Sequence, residues 1–388
     1  MDFAELQRIK APCWLFDPDI AVANYQRLVT LFENATVAYA VKSNPHPAFL
    51  SRLAEVGAHF CVVSRAHIEE LLALGVEQQR MVYSHPVKSL DAIGFACRSN
   101  VLRFACDSPA EIDKIAGFDT SAEIFIRLRV DNSGSMVKLS DKFGVMPKTA
   151  LDLMHYAAWR GLKPIGFTFH VGSQCLRLEN WSEAIRTVGS VWEQARKLFG
   201  IDFINLSGGF PTLYDDDTSL FDLENIAALI QQNIKRYLPG TQRIILEPGR
   251  AISATAGALL ASVIGIARRP DGYTWLFIDA GFFSGLFETI DGICYPVKVV
   301  SILDSGLFHG IRQKSLNQPN GDGEYTYMLA GPTCDAIDKL FTLTTSKAIS
   351  IGDRLLFQHT GAYSYSMESS FNGFDAPSVE IVSLSELI

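Results

Sequence analysis

The apolar positions of this chain fall into short unbroken runs separated by helical patterns. The runs cover residues 37–41, 59–63, 81–84, 101–106, 124–130, 165–171, 203–206 and 244–247. The first of them, 37–41, lacks the polar/apolar alternation of a half-exposed strand and reads as a strand buried on both faces. Between them lie segments with helical spacing, such as 66–74, 109–116, 149–159 and 181–199, each followed by a glycine stop at Gly75, Gly117, Gly161 or Gly200. The first five strands recur about every 20 residues, one strand-helix unit each. Eight strands alternating with helices predict a (β/α)8 barrel of the TIM type rather than an open sheet. The period is structural only, since no sequence repeat accompanies it.

The texture changes after about residue 253. Runs at 273–278, 297–302, 325–329 and 354–358 read as strands with no good helix between them, punctuated by Gly321-Asp322-Gly323 and Gly352-Asp353. This predicts a second, all-β C-terminal domain. The early strand 13–16 has no place inside a barrel and is expected to join that domain. The predicted division is therefore a barrel over 30–252 and a β domain over 1–29 plus 253–388. Residues 313–323, rich in Gly, Asn and Pro, are expected to form a mobile loop.

Composition narrows the class. The 388 residues are 48% hydrophobic and 20% charged, enough for two cores. A net charge of −8, with no basic run of five or more, argues against nucleic acid and against an anionic membrane surface. The start Met1-Asp2-Phe3-Ala4-Glu5 lacks the basic and apolar regions of a signal peptide. The longest apolar run, 256–267, is too short to span a bilayer. Seven cysteines, an odd number without a Cys-x-x-Cys pair, fit free thiols in a reducing compartment and no metal site. A cytoplasmic protein is the expectation.

Candidate chemistry collects at the strand ends, which in a barrel all open on one face. The first strand runs into Lys42, with Ser43 and Asn44 as candidate caps for the next helix. Alone, this lysine is either a solvated strand-end charge or an amine desolvated enough to form a Schiff base. The sixth strand ends at His170-Val171-Gly172-Ser173, the seventh at Ser207-Gly208-Gly209-Phe210-Pro211, the eighth at Glu247-Pro248-Gly249-Arg250. Singly these read as a core histidine, a turn and a surface ion pair. On one rim they amount to more. Paired glycines let backbone N–H groups close around a phosphate, and an arginine adds a bidentate contact. A shielded carboxylate can hold a proton on a ring nitrogen, an imidazole can stack on an aromatic ring, and the lysine supplies an imine nitrogen. That set describes a pyridoxal phosphate site.

The motifs resemble those of the fold-type III pyridoxal-phosphate decarboxylases, the ornithine, lysine and diaminopimelate decarboxylase group related to alanine racemase. They are Tyr39-Ala40-Val41-Lys42-Ser43-Asn44-Pro45, Lys142-Phe143-Gly144, Phe169-His170-Val171-Gly172-Ser173, Gly208-Gly209-Phe210-Pro211, Glu247-Pro248-Gly249-Arg250, Gly331-Pro332-Thr333-Cys334-Asp335, and Gly361-Ala362-Tyr363 with Phe371-Asn372-Gly373-Phe374. The resemblance implies pyridoxal 5'-phosphate as cofactor. Lys42 is then the Schiff-base lysine and His170 the stacked ring. Ser173, Gly208, Gly209, Arg250 and Tyr363 hold the phosphate, and Glu247 holds the pyridine nitrogen. It also implies a head-to-tail homodimer with shared sites, in which Cys334 reprotonates the substrate carbon and Asp335 binds a distal ammonium. Lys142 and Asp338 match a salt-bridged pair across that interface. Cys-Asp rather than Cys-Glu is the ornithine/lysine type, so the implied activity is decarboxylation of a basic diamino acid in polyamine biosynthesis. Glu288 and Asp291 are further candidates for the distal amine.

The second strand departs from the family. Where relatives carry Phe-Asp-x-Ala-Ser and then a glutamate, this chain has Phe60-Cys61-Val62-Val63-Ser64 and His67, and Ser207 replaces the first glycine of the phosphate loop. Losing two acids beside an amine lowers its pKa. The alternatives left by this change are racemisation, a specialised biosynthetic decarboxylation, or a catalytically silent homologue.

Overall fold

The computed structural model describes residues 3–139, 141–214, 222–270, 272–301, 307–312 and 324–384; the expected loop 313–323 lies outside them. The chain forms two compact units, Val22–Pro211 with Thr218–Ile252, and Met1–Ala21 with Thr212–Asp217 and Ser253–Ile388. The division at Ala21/Val22 falls inside the helix Pro18–Leu31, ahead of the expected residue 30.

The first unit is a closed barrel of eight parallel strands. In chain order the barrel strands and their helices are β1 (Thr36–Ala40), α1 (Pro47–Glu55), β2 (His59–Val62), α2 (Arg65–Ala73), β3 (Met81–Tyr83), α3 (Leu90–Arg98), β4 (Arg103–Cys106), α4 (Pro109–Ala116), β5 (Glu123–Arg127), α5 (Pro147–Trp159), β6 (Lys163–Thr168), α6 (Leu178–Phe199), β7 (Phe203–Asn205), α7 (Leu223–Tyr237) and β8 (Arg243–Leu246), closed by a short α8 (Arg250–Ser253). Each expected strand is present, trimmed by a few residues at its ends. Neighbours pair in sequence order, and β8 returns to β1 through Ile245↔Thr36 and Leu246↔Val37. Serines cap three of the helices: Ser64, Ser89 and Ser108 accept from backbone N–H groups three residues on.

Inside the ring, small residues face large ones. Ala38, Ala40, Cys61 and Ala105 share a cluster with Phe125, Phe203, Ile165 and Ile245. The Phe125 and Phe203 rings lie 5.2 Å apart and occupy the space the alanines leave. This pairing of small with large side chains fills the cluster.

One local expectation is corrected. Ser43 and Asn44 do not cap α1. The chain makes a 3-10 turn over Val41–Ser43, and His46 is the cap, its Nδ1 accepting from Ala48 N at 3.3 Å. Asn44 instead receives His46 N at 3.0 Å, a local turn that competes with capping. Lys42 therefore sits in the middle of a turn just past β1.

The second unit is a nine-stranded sheet, in the order Thr274–Ile278, Tyr325–Ala330, Lys339–Thr345, Leu307–Arg312, Val297–Val300, Arg354–Gln358, Gly257–Arg268, Cys13–Phe16 and Ser378–Ile381. Strand Cys13–Phe16 joins it as expected, antiparallel to Gly257–Leu260. The long strand Gly257–Arg268 is the apolar run at 256–267, which was not among the expected strands. It pairs with both Arg354–Gln358 and Thr274–Ile278, so the sheet curls back on itself.

Gly166 sits where β6 and β7 approach closely: a Cβ there would meet Phe203 O at 1.8 Å. Backbone cannot swing aside as a side chain can. Gly166→Ala should cost about 1–3 kcal/mol by overpacking and lower the thermal unfolding midpoint. An unchanged midpoint in a melting experiment would contradict this account of the ring.

Candidate functional site

Lys42 is open to solvent yet ringed by protein, the situation of a group standing in an open mouth rather than on an outer face. Its amine makes no hydrogen bond or ion pair among the described residues. Desolvation lowers its pKa below the usual lysine range, with Arg127 adding to the shift while Cys61 and Glu247 oppose it. Cys61 lies across the ladder from Ala40, two residues before Lys42.

Glu247, just past β8, is buried and heavily engaged. Asn205 Nδ2 donates to its Oε1 at 2.7 Å, Ser84 Oγ donates to the same oxygen, and Ser207 Oγ donates to Oε2 at 3.2 Å. The carboxylate is thus fixed by three neutral donors from β3, β7 and the loop after β7. Ser207 adopts φ 54°, a left-handed conformation that favours glycine, and its hydroxyl on Glu247 is what that strained position gains.

His170 follows β6. Its Nδ1 accepts from Gly172 N at 3.0 Å, which places the ring proton on Nε2. Desolvation, then Arg127 and Lys42, push its pKa well below the usual histidine value, so the ring is neutral. A Cβ on Gly208 would lie 3.3 Å from His170 Nε2 and 2.9 Å from Glu247 O, and one on Gly209 would meet Gly172 O at 2.6 Å. Glycine is therefore demanded at both places by close approach. Arg250 is 2% exposed and donates through Nη2 to Ser173 Oγ at 3.0 Å.

The remaining predicted residues belong to the other unit. Cys334 and Asp335 are exposed on a loop organised by buried Asp338. Asp338 accepts from Phe282 N at 2.8 Å, Thr333 N at 3.0 Å and Thr333 Oγ1 at 2.7 Å, so its carboxylate serves this loop within its own chain. Lys142 is exposed. Asn372 Oδ1 accepts from Cys334 N at 3.2 Å and Sγ at 3.3 Å, tying the 371–374 motif to the cysteine. Glu288 is buried and Asp291 exposed, two different settings for the pair. Tyr363 is half-buried with φ 54°.

Sequence reading missed Arg127, Ser84 and Asn205. Each is a polar residue ending or just following an apolar strand run, which is the signal that was available. Arg127 explains the Lys142-Phe143-Gly144 motif: its guanidinium lies 5.2 Å from the Phe143 ring centroid. Asp107 Oδ2 accepts from Gly144 N at 2.9 Å, and Gly144, at φ 93°, packs against the Leu128 and Arg129 backbone. A cavity of about 460 Å³ lies elsewhere, lined by Ala35, Leu238 and Ile244 at the entry ends of the strands, and holds none of these groups.

The residues gathered at the mouth suit pyridoxal phosphate. Two glycines that no side chain can replace, next to a buried guanidinium and a hydroxyl, suit a phosphate. An unpartnered amine suits an imine nitrogen, a neutral imidazole suits a ring face, and a fixed carboxylate suits a protonated ring nitrogen.

Comparison with known proteins agrees. A family profile described as pyridoxal-dependent decarboxylase, pyridoxal binding domain, matches residues 20–254. The chain is 34% identical over 371 residues to a lysine/ornithine decarboxylase of Selenomonas ruminantium, covering 95% of this chain and 88% of that protein. It is similar to the crystal structure of the lysine/ornithine decarboxylase of Vibrio vulnificus complexed with cadaverine, with a TM-score of 0.83 and 28% identity over 98% of this chain and 97% of that one. The agmatine-bound arginine decarboxylase of Paramecium bursaria Chlorella virus gives a TM-score of 0.84 at 26% identity, over 95% of each chain. A profile covering more than half the chain and a relative at this identity along nearly its whole length show that the protein belongs to the pyridoxal-dependent decarboxylases and is an amino-acid decarboxylase that uses pyridoxal 5'-phosphate.

Proposed function

We propose that this enzyme decarboxylates a basic diamino acid of the ornithine or lysine type to the corresponding diamine, and that its cofactor is carried on Lys42. The observation that carries the reading is the convergence of Lys42, His170, Gly208, Gly209, Glu247 and Arg250 on the open end of one barrel. The substrate class is supported by the Selenomonas relative, named for lysine and ornithine, and by cadaverine in the Vibrio structure. When bound, the cofactor supplies an electron sink for the electron pair left at Cα as the carboxylate departs.

The chain's own residues do the rest. Lys42 offers an amine whose pKa desolvation lowers, which favours its nucleophilic form. Arg250, Ser173, Gly208 and Gly209 hold the phosphate. Glu247, kept in place by Ser84, Asn205 and Ser207, holds a proton on the ring nitrogen. His170, neutral and proton-bearing at Nε2, lies against the ring face. The Cys334 thiol returns a proton to Cα, and Asp335 pairs with the distal ammonium. Both are exposed on their own unit, which suits service in a partner subunit's site and hence a head-to-tail homodimer. No described helix is long and apolar enough to cross a membrane, and we place the enzyme in the cytoplasm, in polyamine biosynthesis.

A second reading is kept because Cys61 and His67 stand where the resemblance leads one to expect acids: racemisation or another decarboxylation at the same site. Chiral chromatography of recovered substrate separates them, because retained configuration excludes racemisation.

Two predictions follow from these roles. Lys42→Ala should remove both carbon dioxide release and the visible absorbance of the bound cofactor without lowering the melting midpoint. Arg250→Ala should weaken cofactor binding about 10–100-fold, the loss of one or two hydrogen bonds to a charge. A Lys42→Ala protein that keeps both signals would sink the assignment.

The substrate reading is checked with a panel of ornithine, lysine and arginine. Release of carbon dioxide is expected from ornithine or lysine, with Asp335→Ala raising KM for that substrate about 10–100-fold and leaving the cofactor absorbance as it was. Arginine as the sole substrate, or no release from any of the three, would overturn it.

A further inference from the structure

Cys334 is the exposed cysteine among the seven, the others being buried or half-buried. An exposed thiol on a loop ordinarily swivels among its rotamers. Here the loop backbone and the side chain are held separately. Asp338 organises the backbone: besides the donors its carboxylate collects from Thr333 and Phe282, its N–H donates to Asp335 O at 3.1 Å. Asp335 Oδ1 in turn accepts from Ile337 N at 3.0 Å. These contacts fix where the Cys334 side chain starts and say nothing of where its sulfur points.

Asn372 supplies the second hold. Its Oδ1 accepts from both Cys334 N at 3.2 Å and Cys334 Sγ at 3.3 Å. The first contact fixes the orientation of the amide, because a backbone N–H can only donate and so must face Oδ1 rather than Nδ2. The second contact then has one solution. An amide oxygen has no hydrogen to give, so the sulfur donates, and in this geometry Cys334 is a thiol rather than a thiolate. Asn372 is itself anchored. It sits at φ 59°, a left-handed conformation that asparagine tolerates better than most residues. Next to it the Phe371 ring centroid lies 4.3 Å from that of Phe283, and Ser369 N donates to Phe283 O at 2.9 Å. One residue earlier, Phe282 N donates to Asp338 Oδ1 at 2.8 Å. The turn Phe282–Ser284 therefore holds both the cysteine loop and the asparagine that meets it.

We propose that Asn372 is the positioning residue of the proton donor: it keeps Cys334 protonated and its sulfur in place, so that the returning proton reaches Cα rather than another carbon. It acts through Cys334 and not on substrate. The proposal rests on the reading of Cys334 as the group that returns a proton to Cα. In that step the S–H bond breaks, a C–H bond forms with the electron pair left by carbon dioxide, and the sulfur recovers a proton from water. Rotation about Cβ–Sγ swings the hydrogen without moving the sulfur, so the hold is compatible with delivery. A misplaced proton has a definite outcome. The electron pair is shared with the carbon that was the cofactor's aldehyde. Protonation there, followed by hydrolysis, gives an aminoaldehyde and pyridoxamine 5'-phosphate: the substrate's amine carbon is oxidised and the cofactor's aldehyde is reduced to an amine.

Two readouts test this. On the full chain freed of cofactor, Cys334 is alkylated with iodoacetamide at neutral pH, and its peptide is quantified by mass spectrometry against the same peptide from the unfolded chain. The thiolate is the form that alkylates. Asn372→Gly removes the acceptor while suiting the left-handed backbone, and Asn372→Asp keeps the oxygen. Asn372→Gly should speed alkylation about three- to tenfold, the worth of one hydrogen bond, while Asn372→Asp should be no faster than the parent. On the cofactor-loaded enzyme, the ratio of aminoaldehyde plus pyridoxamine 5'-phosphate to diamine is measured by chromatography. Asn372→Gly should raise that ratio by about the same factor, and Asn372→Asp should return diamine as the product. A merely structural change lowers turnover without moving the ratio. Alkylation or product ratio unmoved in Asn372→Gly overturns the proposal, as does an Asn372→Asp protein that behaves like Asn372→Gly. Cys334→Ala separates the two levels. If it leaves the ratio at the parent's value, the reading of Cys334 as donor fails and the proposal with it; if it raises the ratio and Asn372→Gly does not, the proposal alone fails.

Discussion

Closing eight parallel strands into a ring forces all their C-terminal ends onto one rim. That constraint gathers an amine after β1, an imidazole after β6, a glycine pair after β7 and a carboxylate after β8 on one rim, although Lys42 and Glu247 are about 200 positions apart in the chain. It also desolvates them together. Desolvation lowers the pKa values of both Lys42 and His170, the direction that suits the nucleophile and ring-stacking roles proposed for them. The same crowding demands that Gly208 and Gly209 carry no side chain, because the space above them belongs to His170, Glu247 and Gly172.

The site keeps its carboxylate in place with neutral groups. Ser84, Asn205 and Ser207 converge on Glu247, and the cost of a left-handed serine at 207 is accepted for the third of these contacts. Neutral donors fix a carboxylate in place, which suits the contact proposed for it with a protonated ring nitrogen. In the second unit a buried aspartate does comparable work. Asp338 collects three donors and shapes the loop that presents Cys334 and Asp335. The tight packing of Gly281 and Gly331 against its carboxylate shows why glycine stands at both positions.

Much of the fold was legible because buried strands leave an unmistakable mark. Eight apolar runs with helical patterns between them specify a barrel, and the loss of helices after residue 253 marks the sheet. The element boundaries were less legible. Periodicity does not distinguish Ser43 and Asn44 from His46 as a cap, since all three can accept a backbone hydrogen bond; the 3-10 turn at Val41–Ser43 decided it. The strand Gly257–Arg268 was hidden by its composition, because a continuous apolar run carries no period that separates strand from helix.

By itself, the sequence determined the architecture, the family resemblance and the residues with the right chemistry: Lys42, His170, Gly208, Gly209, Glu247 and Arg250. These are local properties, written in hydrophobic runs and motif spacing. Tertiary structure alone decided which groups meet. Arg127, Ser84 and Asn205 look like ordinary strand-end polar residues until the ring closes and brings them around Lys42 and Glu247. Cys61 and His67 likewise come to bear on Lys42 only there, because electrostatic neighbours are set in space rather than along the chain.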